Sequence, residues 1–149
     1  MPRQIVPDII ENQVVCEFGR EATVLEAAKM MTDRRIGAVV ITKGGRIEGI
    51  FTERDLVCRV VALGRDPATT QLASVMTKNP ETLSPADAPE SALERMRAGD
   101  FRHLPVVDGT RVIGIVSIRD LYALVKTELE DEVRSRDAFI FGNGHGGLS

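Results

Sequence analysis

The ten residues IEGIFTERDL at positions 47–56 recur in altered form as VIGIVSIRDL at positions 112–121. The glycine, the hydroxyl residue, the arginine and the aspartate stay in register at a spacing of 65 residues. An apolar segment precedes each copy, at residues 38–41 and 104–107, and a glycine-containing turn signal separates that segment from the copy. The chain therefore contains an internal repeat, and this repeat determines how the rest of the sequence is interpreted.

Both copies lie within the same predicted order of elements. Apolar residues recur at helical spacing upstream of each copy, at residues 24–31 and 89–96, and again downstream of it. Extended segments near residues 14–16 and 80–83 predict one more strand before each first helix. The sequence predicts an α/β (α+β) fold of two strand-helix-strand-strand-helix units, packed as a pseudo-two-fold pair with their sheets face to face.

Turn-forming residues set the expected domain boundaries. We expect the first unit at residues 8–66 and the second at residues 72–131, because residues 64–70 between them are rich in glycine, proline and polar turn formers. Residues 132–149 form a C-terminal extension whose glycine-rich end is expected to be a flexible tail.

Composition excludes several classes of function. The 149-residue chain has a net charge of -3 and only 4% aromatic residues, which argues against a nucleic-acid partner. No apolar run has the length of a membrane helix or of a signal peptide, so we expect a cytoplasmic protein with no membrane partner. The two cysteines, Cys16 and Cys58, are too isolated to indicate a metal site or a disulfide framework.

The repeated pattern of glycine, two residues, serine or threonine, two residues and aspartate resembles the marker of the tandem cystathionine-beta-synthase (CBS) domain pair, or Bateman module. The match extends to Val75-Met76-Thr77 and to the apolar segment at residues 104–108, over roughly residues 8–131. This resemblance implies two clefts that bind adenosine-containing ligands such as AMP, ADP, ATP, S-adenosylmethionine or NAD, usually to regulate a partner. Since the sequence shows no attached catalytic, channel or transporter domain, the expected target is another, unknown protein, unless the module works alone as a nucleotide reporter.

The hydroxyl and acidic residues of the marker have two interpretations. Thr52 with Asp55, and Ser117 with Asp120, have the spacing of a capping box, which would stabilise a helix start by about 1 kcal/mol without any ligand. Alternatively, an ionised aspartate offers two acceptor oxygens to the two neighbouring hydroxyls of a ribose. The two roles are compatible, because the hydroxyl can serve both.

Basic residues near the marker are candidates for binding phosphate. Arg54 and Arg119 each precede the marker aspartate, where a cation at a helix N-terminus is mildly unfavourable unless an anion offsets it. A solvated surface arginine explains the same observation equally well. Five further basic residues lie beside the predicted cleft elements: Arg34, Arg35, Lys78, Arg102 and His103.

The resemblance also suggests where an adenine base would lie. In the second cleft it would lie between the turn Thr77-Lys78-Asn79-Pro80 and the strand His103-Leu104-Pro105. In the first cleft the wall would be formed near Gln13-Val14-Val15 and near Gly37-Ala38-Val39. Ordinary core packing is an equally good interpretation of these residues.

Catalytic machinery is not evident in the sequence. It contains no P-loop, Rossmann fingerprint or metal-binding histidine pair, so we expect no enzyme activity, no catalytic residue and no catalytic cofactor.

The expected ligand is AMP first, then ATP, ADP or NAD(H). The alternatives are a ligand-independent structural dimerisation module and, as a weaker one, a small nucleotide hydrolase. We also expect a homodimer, through a surface that contains Leu56, Val60, Leu121 and Val125.

Overall fold

The structure is a computed structural model that describes residues 2–140. A short π-helical segment, Ile5–Ile9, comes first. The first unit follows with β1 Glu17–Phe18, α1 Val24–Arg34, β2 Ala38–Lys43, β3 Arg46–Thr52 and α2 Glu53–Asp55, which continues as a π-helical segment, Leu56–Val61. After a 3₁₀ turn, Leu72–Ser74, the second unit has β4 Thr77–Lys78, α3 Pro89–Gly99, β5 His103–Asp108, β6 Arg111–Ser117 and α4 Ile118–Ile140.

The first helix of each unit has the same place and the same buried face. Helix α1 begins at a capping box in which the Thr23 side chain accepts from the Glu26 amide, whereas α3 begins with a proline at its first position. The buried residues recur at the 65-residue spacing: Val24, Ala27 and Met31 in α1, and Pro89, Ala92 and Met96 in α3. Both helices end in a left-handed residue. The α+β order predicted from the repeat is therefore confirmed.

The strands of the two units form one six-stranded sheet, in which a single residue pair joins β3 to β6. The antiparallel hairpins β2–β3 and β5–β6 meet where Arg46 lies opposite Arg111, giving the order β1-β2-β3-β6-β5, with β4 paired to β3. The expectation of two separate sheets was therefore wrong. The physical reason lies beside the hairpin turns, where the Val112 amide donates to the Gly45 carbonyl at 3.4 Å and so satisfies two backbone groups at the strand edges.

Each unit has its own apolar core, and each core is completed by a segment that precedes the other unit. Leu72, Val75 and Met76 are buried in the core around α1 and β3. Ile5 and Ile10 are buried in the core around α3 and β6. The segment that precedes each unit along the chain therefore packs against the other unit. The unit boundaries at residues 8–66 and 72–131 stay a prediction.

The apolar surface differs from the one expected for a dimer. Val60 and Leu121 are 0% exposed within the cores, so their assignment to a dimer surface was wrong, because the helical period turns them toward their own sheets. Leu56 and Val125 are half-buried. The large apolar side chains that are exposed near these positions are Val57, Val61, Leu63, Tyr122, Leu129 and Val133.

The C-terminal extension begins as a helix. Helix α4 continues without a break to Ile140, so residues 132–140 belong to it. The flexible tail that the sequence predicts after Phe141 lies outside the described residues. Within residues 2–140, no helix combines the length and the apolar character that crossing a bilayer requires.

Candidate functional site

The marker residues form a capping box in both units. Thr52 accepts from the Asp55 amide at 3.2 Å, and Asp55 Oδ2 accepts from the Thr52 amide at 3.0 Å. In the second unit Ser117 and Asp120 make the same two hydrogen bonds, at 3.1 and 2.9 Å. The capping interpretation is therefore realised twice, and each bond to a carboxylate uses only Oδ2.

The two aspartates nevertheless lie in different surroundings. Asp55 is 9% exposed, and its Oδ1 lies 3.6 Å from Nε of Arg59, one helical turn further along the chain. Asp120 is exposed, and the position equivalent to Arg59 is occupied by Leu124. Among the hydrogen bonds and ion pairs described for the side chains of residues 2–136, none reaches Oδ1 of Asp120. Only the second marker therefore presents an open carboxylate oxygen.

Arg59 was not identified as a site residue from sequence, although its spacing offered a signal. An arginine four residues after an aspartate on a helix is placed to form an ion pair with it. Arg59 also donates from Nη1 to the carbonyl oxygens of Val75 and Met76, at 3.2 and 3.0 Å. It therefore links the first marker to the segment that completes the first core.

The two marker arginines also differ. Arg54 donates from Nη1 to the carbonyl oxygen of Asp100 at 3.0 Å and lies 3.4 Å from its carboxylate. The equivalents of Arg54 and Asp100 in the other half of the repeat are Arg119 and Arg35, two cations. Both are exposed, and no hydrogen bond or ion pair of either side chain is found in the described part of the chain. Arg54 thus has a carboxylate partner, whereas Arg119 remains open to an anion.

His103 lies where the two units meet. A Cβ atom built on Gly37 would be 3.0 Å from His103 Nε2 and 3.3 Å from Glu53 Oε1. Glycine at this position therefore lets a side chain of the second unit approach the backbone of the first. The same contact brings Glu53, which was not identified from sequence, close to His103.

Burial and the surrounding charges shift the pKa of His103. Burial lowers this pKa from its ordinary value, and Arg102 and Arg119 lower it further. Glu53 and Asp120 act in the opposite direction. The charges of Arg102, Arg119 and Asp120, which were all predicted as ligand-binding residues, therefore act on His103.

Other predicted site residues are used in the fold. Ala38, Val39, Leu104 and Pro105 are buried, and Val39 and Leu104 belong to the two cores. These four residues are therefore packed inside the fold, and their part in ligand binding stays a prediction.

The turn predicted for the second cleft is bonded to the first unit. Thr77 pairs with Ile50, and the Asn79 amide donates to the Glu48 carbonyl at 3.1 Å. Lys78 is exposed, and Pro80 is half-buried beyond this pairing. Gln13, which was predicted to lie in the wall of the first cleft, contacts the second unit: its side-chain oxygen accepts from the Ile115 amide at 2.7 Å. Val15 is half-buried and Arg34 is exposed, and no described contact joins either of them to a marker aspartate.

Comparison with known proteins identifies the repeat. The family model described as "CBS domain" matches residues 17–62 and 72–126. The chain belongs to the CBS-domain family.

The relatives and the solved structures agree with this assignment. The CBS domain-containing protein YhcV of Bacillus subtilis is 34% identical over 116 residues, which cover 78% of this chain and 81% of YhcV. The mitochondrial CBS domain-containing protein CBSX3 of Arabidopsis thaliana is 34% identical, over 80% of this chain and 61% of that protein. A meiotically up-regulated protein of Schizosaccharomyces pombe is 36% identical, but the chain spans only 16% of its length.

Two CBS-domain structures have the same fold. A CBS-domain containing protein from Agrobacterium tumefaciens is 35% identical, with a TM-score of 0.73, over 80% of this chain and 97% of that one. A CBS domain protein from Pyrobaculum aerophilum, solved in complex with AMP, is 27% identical with a TM-score of 0.69, over 76% of this chain and 86% of that one.

Proposed function

We propose that this CBS-domain pair is a regulatory module that binds an adenine nucleotide beside Asp120 and acts on a partner protein, without turning the ligand over. The observation that carries this proposal is the state of the Asp120 carboxylate. One of its oxygens holds the start of α4 through the Ser117 amide, while the group as a whole is exposed. An anchored carboxylate with an open oxygen suits the two neighbouring hydroxyls of a ribose.

The charges around this carboxylate favour a phosphate-containing ligand. Arg102 and Arg119 both act electrostatically on His103, and Arg119 and Asp120 lie in the first turn of α4, whose N-terminal amides favour an anion. We propose AMP as the first ligand, with ATP, ADP or NAD(H) as longer alternatives. The AMP complex of the Pyrobaculum aerophilum protein supports this choice of ligand class.

The test is calorimetric titration with AMP. Asp120→Asn keeps the size and one acceptor oxygen, so ribose binding should weaken by about 1.5 to 3 kcal/mol, or roughly ten- to a hundred-fold. GMP is the base control, because its hydrogen-bonding edge differs from that of adenine. Undiminished AMP affinity in a folded Asp120→Asn variant would contradict the ribose assignment.

The same titration separates the other functions. A ligand-independent dimerisation module would bind none of these nucleotides, and a nucleotide hydrolase would release product, which chromatography of the titrated mixture would reveal. Binding of intact nucleotide would support the sensor. We also propose a homodimer, formed through the exposed apolar residues of the helices that follow the markers, of which Val57 and Tyr122 are equivalent positions.

A further inference from the structure

We infer that Arg59 closes the first cleft to nucleotide, so that each chain binds a single nucleotide, at Asp120. This inference rests on the proposed function and assigns its stoichiometry. The two markers are alike in sequence and in capping geometry, which by itself would suggest two equivalent sites. What differs is the residue four positions after each aspartate, Arg59 in one unit and Leu124 in the other.

Both oxygens of the Asp55 carboxylate already have a partner within the protein. Its Oδ2 accepts from the Thr52 amide, and its Oδ1 faces the Arg59 guanidinium at 3.6 Å. The side chain of Asp55 is only 12% exposed. A ribose would have to displace the guanidinium to reach the oxygen, and would exchange a charged partner for two neutral hydroxyls.

Arg59 is itself held in place. Its hydrogen bonds to the carbonyls of Val75 and Met76 anchor it to two residues of the first core that are 2% and 6% exposed. Moving the guanidinium aside would break both hydrogen bonds as well as the ion pair with Asp55. The closed state of the first cleft is therefore built into the packing of the first unit.

The second marker has no residue equivalent to Arg59. Leu124 carries no hydrogen-bond donor, and Asp120 remains exposed beside Arg119. Two cations that have no carboxylate partner among the described residues, Arg119 and Arg35, occupy the positions equivalent to the Arg54–Asp100 ion pair. Electrostatics and access therefore both assign the ligand to the second marker.

The experiment exchanges the two residues and counts the bound AMP. The wild-type chain should bind one AMP per chain in calorimetric titration. Arg59→Leu, which copies the second unit, should add a second site, and Leu124→Arg should weaken the existing site by about tenfold or more. Arg59→Lys is the control for charge alone, and circular dichroism checks the fold of each variant.

The outcomes distinguish this inference from the proposed function. Two AMP molecules per wild-type chain, or a folded Arg59→Leu variant that still binds only one, would overturn the inference and leave the sensor function standing. No AMP binding by the wild-type chain would overturn the proposed function and the inference together. Should Arg59→Leu fail to fold, Asp55→Asn in the otherwise unchanged chain replaces it: unaltered affinity and stoichiometry support a closed first cleft, and a lost site refutes it.

Discussion

Arg54 of the first unit donates a hydrogen bond from Nη1 to the carbonyl oxygen of Asp100 in the second unit, at 3.0 Å. Asp100 ends α3 in a left-handed conformation, and its carboxylate forms an ion pair with the same guanidinium. At the two equivalent positions stand Arg119 and Arg35. The two units therefore share the geometry of these helix ends but are asymmetric in their charge.

This asymmetry predicts different effects for two matched substitutions. Arg119→Gln should weaken AMP binding roughly ten- to a hundred-fold, because a charge-assisted hydrogen bond to phosphate is worth about 1.5 to 3 kcal/mol. Adenosine, which has no phosphate, should bind the variant as it binds the wild type. Arg54→Gln is the control, and its AMP affinity should not change. Equal losses for AMP and adenosine, or a loss in Arg54→Gln alone, would contradict a phosphate role for Arg119.

The sequence allowed the elements that both units share to be predicted. The repeated Gly49 and Gly114, together with the periodicity around them, were enough for the order of helices and strands, because these patterns are local. The asymmetric part depends on contacts between distant positions. Arg54 and Asp100 are 46 residues apart, and no local pattern links them. Arg59 is the exception, since its spacing from Asp55 was visible in the sequence.

The two marker aspartates should contribute differently to folding. Asp55→Asn removes a buried charge and leaves Arg59 without its ion pair, so we expect a loss of about 1 to 2 kcal/mol in the free energy of unfolding. Asp120→Asn removes only the charge of an exposed cap and should cost at most about 1 kcal/mol. Urea unfolding, followed by circular dichroism, measures both. A larger loss for Asp120→Asn would contradict the difference in their surroundings.

The packing of residues 76–77 against β3 can be tested at Gly49. A Cβ atom there would lie 2.5 Å from Met76 Sδ and 2.9 Å from the backbone oxygen of Thr77. Because a backbone atom cannot yield as a flexible side chain does, Gly49→Ala should destabilise the protein by about 1 to 3 kcal/mol. Gly19→Ala is the control, since its Cβ would meet only Glu21 Oε2 at 3.7 Å. A neutral effect of Gly49→Ala on the melting temperature would show that residues 76–77 do not lie against β3.

The proposed homodimer predicts that the exposed apolar face of α4 matters for assembly. Tyr122, Leu129 and Val133 are 59%, 56% and 52% exposed, on one side of the helix. Light scattering at micromolar concentration should give twice the mass of the chain, and Leu129→Glu should lower it toward that of the monomer. Thr127→Glu on the same helix is the control for added charge. A wild-type mass of one chain would contradict the homodimer.

The last prediction concerns pH and His103. Burial lowers the pKa of His103 in the folded protein, with Arg102 and Arg119 adding to this effect and Glu53 and Asp120 opposing it. The unfolded chain, in which the pKa is about 6.5, therefore binds more protons than the folded protein as the pH falls below that value. The stability that His103 contributes through its neutral form is thus complete above about pH 6.5 and is lost progressively toward the lower folded pKa. His103→Gln removes the titration and keeps a polar side chain. The difference in unfolding free energy between wild type and variant should be constant from about pH 8 to about pH 7 and should shift against the wild type by about pH 5. A difference that does not change over this whole range, measured by urea unfolding at each pH, would contradict the burial of a neutral His103 between the two units.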